Sequence, residues 1–342
     1  MKRALLMGVL LAGCMAKPPP NAAPPPPQAA KGAFIGAPDA APVAVEWWRL
    51  YGDDALNDHV ARALAANRDL RVALATLDAA RANARLAGAN RTPDVMLESG
   101  ASPATRAANQ PSTSAVPTSG YELGLTAAWE IDLFGRLRNQ SSAASADAEA
   151  AAAARDGVRL AVVADTVAAY LDLCWAGELA GIAANQIEQQ RRQVETVSHQ
   201  LRVGEVSPLE LAQSRQLLGR LEAGLPIFAA DAQRARYLLA NLQGLPPADA
   251  GRFQCRRPPA IAGSLPVGDG PGLLARRPDI REAERRLAAA GARVKVATAE
   301  MYPRVSLGAS GGLIAGALDA FITPLISWSF INPARIKARI AL

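Results

Sequence analysis

Residues 69–97 read DLRVALATLDAARANARLAGANRTPDVML, and residues 279–307 read DIREAERRLAAAGARVKVATAEMYPRVSL. At this offset of 210, twelve of the 29 positions are identical, and both copies run from a helical pattern through a proline into alternating apolar and polar residues. A shorter match at an offset of 199 aligns Trp129 with Trp328. Alanine-rich helices match one another easily, but the shared proline and strand pattern favour a duplicated helix–strand–strand unit.

The strand pattern is clearest at residues 121–134, where apolar and polar residues alternate for about thirteen positions. A transmembrane strand needs about 9–11 residues, with apolar side chains toward lipid and polar ones toward the lumen. A half-buried strand of a soluble sheet has the same period, so both interpretations stay open for this segment. In the membrane interpretation, the carboxylates of Glu122, Glu130 and Asp132 face the lumen. Further strands are predicted at residues 94–102, 304–310 and 318–331.

Between the repeats the sequence predicts a long helical hairpin. Residues 137–202 contain no proline, and one helix of that length spans about 100 Å. The returning helix has an apolar residue every seventh position, which predicts a coiled-coil seam, and Pro226 is expected to kink it. The members of that series are Leu211, Leu218, Leu225, Ala232 and Leu239.

The predicted turn between these helices lies at residues 202–208. Gly204 can take the left-handed conformation that ends a helix. Ser207 can cap the next helix, with Pro208 at its first position and Glu210 completing a capping box. The residues alone leave open whether this tight turn is only structural or also binds a partner.

The N-terminus has the features of an export signal. A charged start precedes a ten-residue apolar run, 4–13, which is too short to span a membrane as a helix. The run Leu11-Ala12-Gly13-Cys14 resembles the bacterial lipobox, in which the cysteine becomes the lipidated first residue of the mature protein. The following segment, up to about residue 45, is rich in proline and alanine and predicts an extended tether.

The other two cysteines, Cys174 and Cys255, are predicted to form a disulfide. An exported protein enters an oxidising compartment. Cys174 lies about 30 residues, or about 45 Å, above the predicted turn. The returning helix reaches a similar height near residue 240, so Cys255 can return alongside Cys174.

Composition argues against an enzyme and against a nucleic-acid-binding protein. The net charge is +6, but the basic residues do not cluster as a nucleic-acid-binding surface requires. The two histidines, His59 and His199, lie in helical patterns without other metal ligands at short spacing. The sequence contains no phosphate-binding glycine loop or nucleophile motif. We therefore expect no cofactor and no metal.

Five stretches together resemble the TolC-like outer-membrane efflux proteins, in the lipoprotein branch that serves resistance–nodulation–division pumps. The resemblance runs from Cys14 to the last residue. The matching stretches are the Leu-Ala-Gly-Cys lipobox, Trp47–Asp53, Trp129–Leu137, Arg202–Leu209 and Leu273–Ile280.

The resemblance implies a mainly α fold with a small antiparallel β part. Each protomer of a homotrimer would give four strands to one shared outer-membrane barrel, and long helices would form a periplasmic tunnel. The hairpin tip would bind a periplasmic adaptor, and through it an inner-membrane pump that supplies the energy. The expected tip residues are Arg202, Val203, Gly204, Glu205, Val206 and Ser207.

Family members continue past the fourth strand into a second long hairpin, whereas this sequence stops at Leu342. We therefore expect a truncated product, which leaves two functions to compare. The first is a passive conduit anchored by Cys14 in the outer membrane and extending into the periplasm. The alternative is a non-conducting lipoprotein that binds partners through its coiled coil. The predicted segments are a signal peptide (1–13), a lipidated tether (14–45), a first helical repeat (46–92), a first β-hairpin (93–136), a helical hairpin (137–245), a connection (246–272), a second helical repeat (273–302), a second β-hairpin (303–332) and the start of a helix (333–342).

Overall fold

The computed structural model of this chain describes residues 44–102, 120–261, 270–314, 317–328 and 333–341. Cys14, the signal segment and nearly all of the tether lie outside these residues. The α-helices are α1 (Asp54–Ala66), α2 (Arg68–Ala89), α3 (Arg136–Arg202), α4 (Pro208–Leu242), α5 (Gly270–Arg276), α6 (Pro278–Ala299) and α7 (Pro333–Ala341). The strands are β1 (Asp94–Ser102), β2 (Gly120–Ile131), β3 (Arg304–Ile314) and β4 (Ala317–Ser327), and short 3₁₀ helices occupy Trp47–Tyr51 and Pro247–Arg252.

The mainly helical fold with a small antiparallel sheet is confirmed. The four strands form one sheet in the order β1-β2-β3-β4, and every neighbouring pair is antiparallel. Each of the two outer strands has one described neighbour in the chain, so β1 and β4 form the edges of the sheet.

The duplication is confirmed by the register of the two hairpins. Val95 of β1 lies opposite Ala127 of β2. Adding the offset of 210 to position 95 gives Val305, and adding the offset of 199 to position 127 gives Ile326. These two residues lie opposite each other in the second hairpin. The two offsets found in the sequence therefore describe one repeated structural unit.

An indole hydrogen bond is repeated in the same way. The Trp129 Nε1–H donates to the Arg91 carbonyl at 3.0 Å, and the Trp328 Nε1–H donates to the Met301 carbonyl at 3.0 Å. In each hairpin, the tryptophan at the end of the second strand thus ties it to the turn that precedes the first strand.

The chain divides into two compact units. One contains the described residues within 77–152 and 281–341 and holds the sheet. The other contains the described residues within 44–76 and 153–280, and its core is built on Leu56, Leu173 and Leu239, all less than 2% exposed. These units cut across the segment boundaries proposed from the sequence, which remain predictions.

Polar contacts hold the core of the second unit. The Tyr170 hydroxyl donates to Asp53 Oδ2 at 2.9 Å. Burial, together with this hydrogen bond and the charge of Asp53, raises the pKa of Tyr170, so the phenol keeps its proton. The His59 ring packs against Tyr170 and Phe253, and its Nδ1 lies 2.9 Å from the Gln243 amide nitrogen.

The helical hairpin follows the predicted coiled-coil pattern. Every member of the seven-residue series in α4 is buried or half-buried. Cross-helix contacts set the antiparallel pairing: the Gln190 side-chain amide donates to the Ser214 carbonyl at 3.0 Å, and Arg191 pairs with Glu222 at 2.8 Å. Helix α4 continues through Pro226 to Leu242.

Several boundaries differ from the sequence prediction. The first helical repeat, predicted over residues 46–92, is divided at Asn67, whose side-chain oxygen accepts from the Leu70 N–H and whose amide donates to the Leu242 carbonyl. Asparagine side chains compete with helical hydrogen bonding in this way, which starts a new helix at Arg68. The fourth strand, predicted over residues 318–331, ends at Ser327.

Candidate functional site: the hairpin tip and the two faces of the sheet

The hairpin tip satisfies its own backbone. Gly204 has a φ of +84°, and Glu205 N–H donates to the Gln200 carbonyl while Gly204 N–H donates to the Leu201 carbonyl. This is a Schellman ending, which closes α3 with a left-handed glycine. The Ser207 hydroxyl accepts from the Glu210 N–H and Glu210 accepts from the Ser207 N–H, so the predicted capping box is confirmed.

Most side chains of the tip are exposed to solvent. Val203 is 58% exposed and Leu209 is 64% exposed, while Arg202 and Glu205 are also exposed. The remaining predicted tip residues are Gly204 and Ser207, both exposed, and Val206, which is half-buried.

Leu209 was absent from the predicted tip set. It follows Pro208 at the start of α4 and falls outside the seven-residue series that packs the hairpin. The sequence signal for Leu209 is that it lies beside the turn but outside the coiled-coil seam. With Val203 it gives the tip two apolar side chains beside one positive and one negative residue.

The two faces of the sheet differ in where their charges lie, although the charged set of positions also exposes Met96 and Leu325. The pairing places all six charged residues of the four strands in one of the two alternating sets of positions. The opposite set exposes large apolar side chains on every strand except β3, where the positions with described side chains are small or half-buried. The charged residues are Asp94, Glu98, Glu122, Glu130, Arg304 and Asp319; the exposed apolar residues include Val95, Leu97, Leu123, Leu125, Leu318, Ile322 and Ile326.

The three carboxylates proposed for the lumen have different surroundings. Glu130 makes a bidentate ion pair with Arg136, with nitrogen–oxygen distances of 2.8 and 2.6 Å. Glu122 lies opposite Gly100 in the strand pairing, and its side chain lies outside the described atoms.

The prediction that Asp132 lies on the strand is wrong, because β2 ends at Ile131. Its carboxylate accepts from the Leu137 and Arg138 N–H groups at 3.1 and 2.8 Å. The first N–H groups of a helix have no partner within the helix and attract a carboxylate. Asp132 therefore holds the start of α3, which explains its position one residue beyond the strand.

The structure joins Cys174 and Cys255 by a disulfide with a Cα–Cα distance of 4.6 Å. Cys174 is fully buried in α3. Close by, Gly177 lies under the Cys255 segment, where an added Cβ would be 2.4 Å from the Cys255 carbonyl oxygen. The predicted lipid anchor, Cys14, lies outside the described residues.

Among the described residues, no group of three or more His, Cys, Asp or Glu side chains could hold a metal ion. One described helix, Arg136–Arg202, contains an 18-residue stretch long and apolar enough to cross a membrane. Half of that stretch is buried inside the protein.

Known proteins share this architecture. The profile of the outer membrane efflux protein family matches residues 60–245 and 271–333. The chain is similar to the pyoverdine export outer membrane protein OpmQ of Pseudomonas putida, with 30% identity over 90% of this chain and 67% of that protein. It is also similar to nodulation protein T of Rhizobium leguminosarum bv. viciae, with 28% identity over 98% of this chain and 71% of that protein.

Solved structures agree in fold. The outer-membrane channel OprN superposes with a TM-score of 0.81 and 35% identity, covering 94% of this chain and 76% of that one. The outer membrane protein VceC of Vibrio cholerae gives a TM-score of 0.77 and 26% identity, covering 87% and 74%. The repeated hairpins, the long coiled coil and the family profile lead to one conclusion: this chain belongs to the outer membrane efflux protein family.

Proposed function

We propose that this chain is one protomer of a trimeric, passive outer-membrane channel that carries substrates away from a periplasmic adaptor and an inner-membrane pump. The observation that carries the proposal is the sheet, which has one apolar face, one charged face and two open edges. In hydrocarbon, each unpaired backbone group costs several kcal/mol, so only a closed barrel is stable there. Four strands cannot close a barrel, and three copies supply twelve.

In this assembly the apolar face contacts lipid and the charged face lines a water-filled path. Glu98, Glu122 and Glu130 occupy lumen positions, with Glu130 neutralised by Arg136. A lumen wall of this kind can select substrates by their charge and by the width of the pore, rather than by reacting with them. The outer membrane location follows from the family, and a lipid anchor at Cys14 is part of the proposal.

The tip is the proposed adaptor site. Its exposed valine and leucine can pack between the helices of a partner, and Arg202 and Glu205 can pair with charges at the rim. An apolar centre surrounded by a polar rim is the usual arrangement of a protein interface. The Schellman ending and the capping box hold these side chains on a rigid turn, which reduces the entropy lost on binding.

Conductance measured in planar bilayers tests the channel. The purified protein is expected to insert as a trimer and to give stable ion-conducting steps. Inserted protein that gives no current would instead favour the alternative of a non-conducting lipoprotein that binds partners through its coiled coil.

The tip is tested separately with the double variant Val203→Asp/Leu209→Asp. Its matched control is Leu217→Asp, on the same helix about 12 Å from Leu209 and 48% exposed. In a host strain that lacks its own channel, the tip variant should lose dye efflux and bind the cooperating adaptor at least about tenfold more weakly, since two interface residues are lost. Its conductance and that of the control should match the wild type. Normal efflux by the tip variant would refute the tip as the adaptor site.

A further inference from the structure

We infer that neighbouring copies join through β4 of one copy and β1 of the next, in a register set by the internal duplication: Ser327 of one copy lies opposite Glu98 of the next. This inference rests on the proposed shared barrel. It goes further by assigning which residues meet at the junction between copies.

The first step is the equivalence of the strands. The offset of 210 relates β1 to β3, and the offset of 199 relates β2 to β4, as the matching registers of the two hairpins establish. The Trp129 and Trp328 hydrogen bonds obey the same two offsets. The sheet is therefore two copies of one β-hairpin placed side by side.

The second step uses the junction between these two hairpins. Strand β2 pairs with β3 in the register Trp129 opposite Leu307 and Ala128 opposite Gly308. In a closed barrel the end of the second hairpin meets the start of the first hairpin of the next copy. By the strand equivalence, β4 and the next β1 are the counterparts of β2 and β3.

The third step transfers the register. Ala128 corresponds to Ser327 and Gly308 corresponds to Glu98, so these two residues become directly opposite between copies. Over the described strands, residues 323–327 of one copy then pair with residues 98–102 of the next.

The transferred register passes an independent check on the faces. A shift of one residue would turn one strand over and place its apolar side chains in the lumen. In the inferred register, Ile326 of the apolar face lies opposite Ser99, which shares its face with Val95 and Leu97. The charged face is likewise continuous from Ser327 to Glu98 across the junction.

Cysteine pairs test this register in the full-length protein in outer membranes. Glu98→Cys with Ser327→Cys is the predicted pair, and both positions belong to the lumen set, where water allows oxidation. Within one copy these residues lie on opposite edges of the sheet and eight residues out of register, because Glu98 lies across the sheet from Asp319. They are therefore about 30 Å apart, beyond the roughly 7 Å that a disulfide spans between Cα atoms. Any bond between them therefore joins two copies.

Two further pairs shift the register by two residues in either direction: Met96→Cys with Ser327→Cys, and Gly100→Cys with Ser327→Cys. Met96→Cys with Thr126→Cys is the control within one chain, because these residues lie opposite each other in β1 and β2. It should form a bond without producing higher species.

On a non-reducing gel, oxidation of the predicted pair should give covalent dimers and trimers, at least about fivefold more than either shifted pair, because diagonal neighbours lie too far apart. Dimers and trimers that form preferentially from a shifted pair would overturn the register but leave the shared barrel standing. If no pair gives dimers or trimers while the control bond forms, the inferred register is overturned, and the conductance measurement decides separately whether the shared barrel forms.

Discussion

Gly177 and Gly181 lie one helical turn apart in α3 and should respond in opposite ways to alanine. Alanine is favoured over glycine in a helix interior by about 1 kcal/mol. Nothing lies within 4 Å of a Cβ added at Gly181, so Gly181→Ala should stabilise the protein by up to about that amount. At Gly177 the added Cβ would lie 2.4 Å from the Cys255 carbonyl oxygen and 3.3 Å from the Arg256 Cα.

The 2.4 Å contact can reach an ordinary distance only if the backbone at Cys255 moves away. The disulfide to Cys174 holds that segment, and the Arg236 guanidinium donates to the Phe253 carbonyl at 3.0 Å. Overpacking against a fixed neighbour costs about 1–3 kcal/mol, which exceeds the gain in helix propensity. Gly177→Ala should therefore lower the free energy of unfolding by up to about 2 kcal/mol, while Gly181→Ala raises it.

The assay is urea unfolding in detergent followed by helical circular dichroism, with both variants measured oxidised and reduced. Reduction frees the Cys255 segment, so the loss caused by Gly177→Ala should shrink while the effect of Gly181→Ala stays the same. The two perturbations share a contact, which makes them non-additive. Equal stabilisation by both alanines, or an unchanged Gly177→Ala loss after reduction, would refute the reasoning.

Three further predictions concern the disulfide, His59 and Asp132. Cys174 and Cys255 are 81 residues apart, so replacing both with alanine should cost about 4.5 kcal/mol by loop entropy, seen as a lower urea midpoint; two reactive thiols in the exported protein would contradict the bond. Burial, with the charge of Arg62, lowers the pKa of His59 from its ordinary 6.5. As the pH falls, His59 is therefore protonated in the unfolded chain before it is protonated in the folded one, and stability should decrease below about pH 6.5. His59→Phe should remove that slope and exposed His199→Gln should keep it, and a slope that survives in His59→Phe would contradict the assignment. Asp132→Ala should lower the free energy of unfolding by about 1–2 kcal/mol and Asp132→Asn by less; equal losses in thermal melts would show that the side-chain oxygen does not cap α3.

The sequence was sufficient to predict the features that depend on periodic apolar residues and on the residues that begin or end helices and strands. The repeated proline-to-strand transition at residues 93 and 303 identified both hairpins, and the seven-residue series of α4 identified the packed seam. The residues at 204, 207 and 210 predicted both helix ends at the tip because their hydrogen bonds are local. These features need no knowledge of the tertiary fold.

Two polar side chains whose partners lie outside their own strand or helix were not predictable. Asn67 reads as one polar residue within a helical pattern, but it bonds to the Leu242 carbonyl, 175 residues away, and divides the helix. Asp132 continues the alternation of β2, but the helix that begins at Arg136 offers two free N–H groups that a strand position cannot use. In both cases the polar side chain is hydrogen-bonded to backbone groups of another helix. The periodicity of its own strand or helix carries no information about that helix.

The alternating period of β2 could not by itself separate a membrane strand from a half-buried strand of a soluble sheet. The two kinds of strand differ in whether other parts of the protein cover the apolar face of the sheet. A soluble sheet buries that face under a helix or a second sheet, whereas here Leu97, Leu125 and Ile322 each remain more than half exposed within the described residues. Contiguous apolar patches spread over several strands are rare on soluble monomers, and the six charged residues of the strands all fall in the other alternating set of positions. Lipid against the apolar face and water against the charged face give each side of the sheet a suitable solvent. In lipid, the backbone groups of the two edge strands then need strands from further copies of the chain as partners.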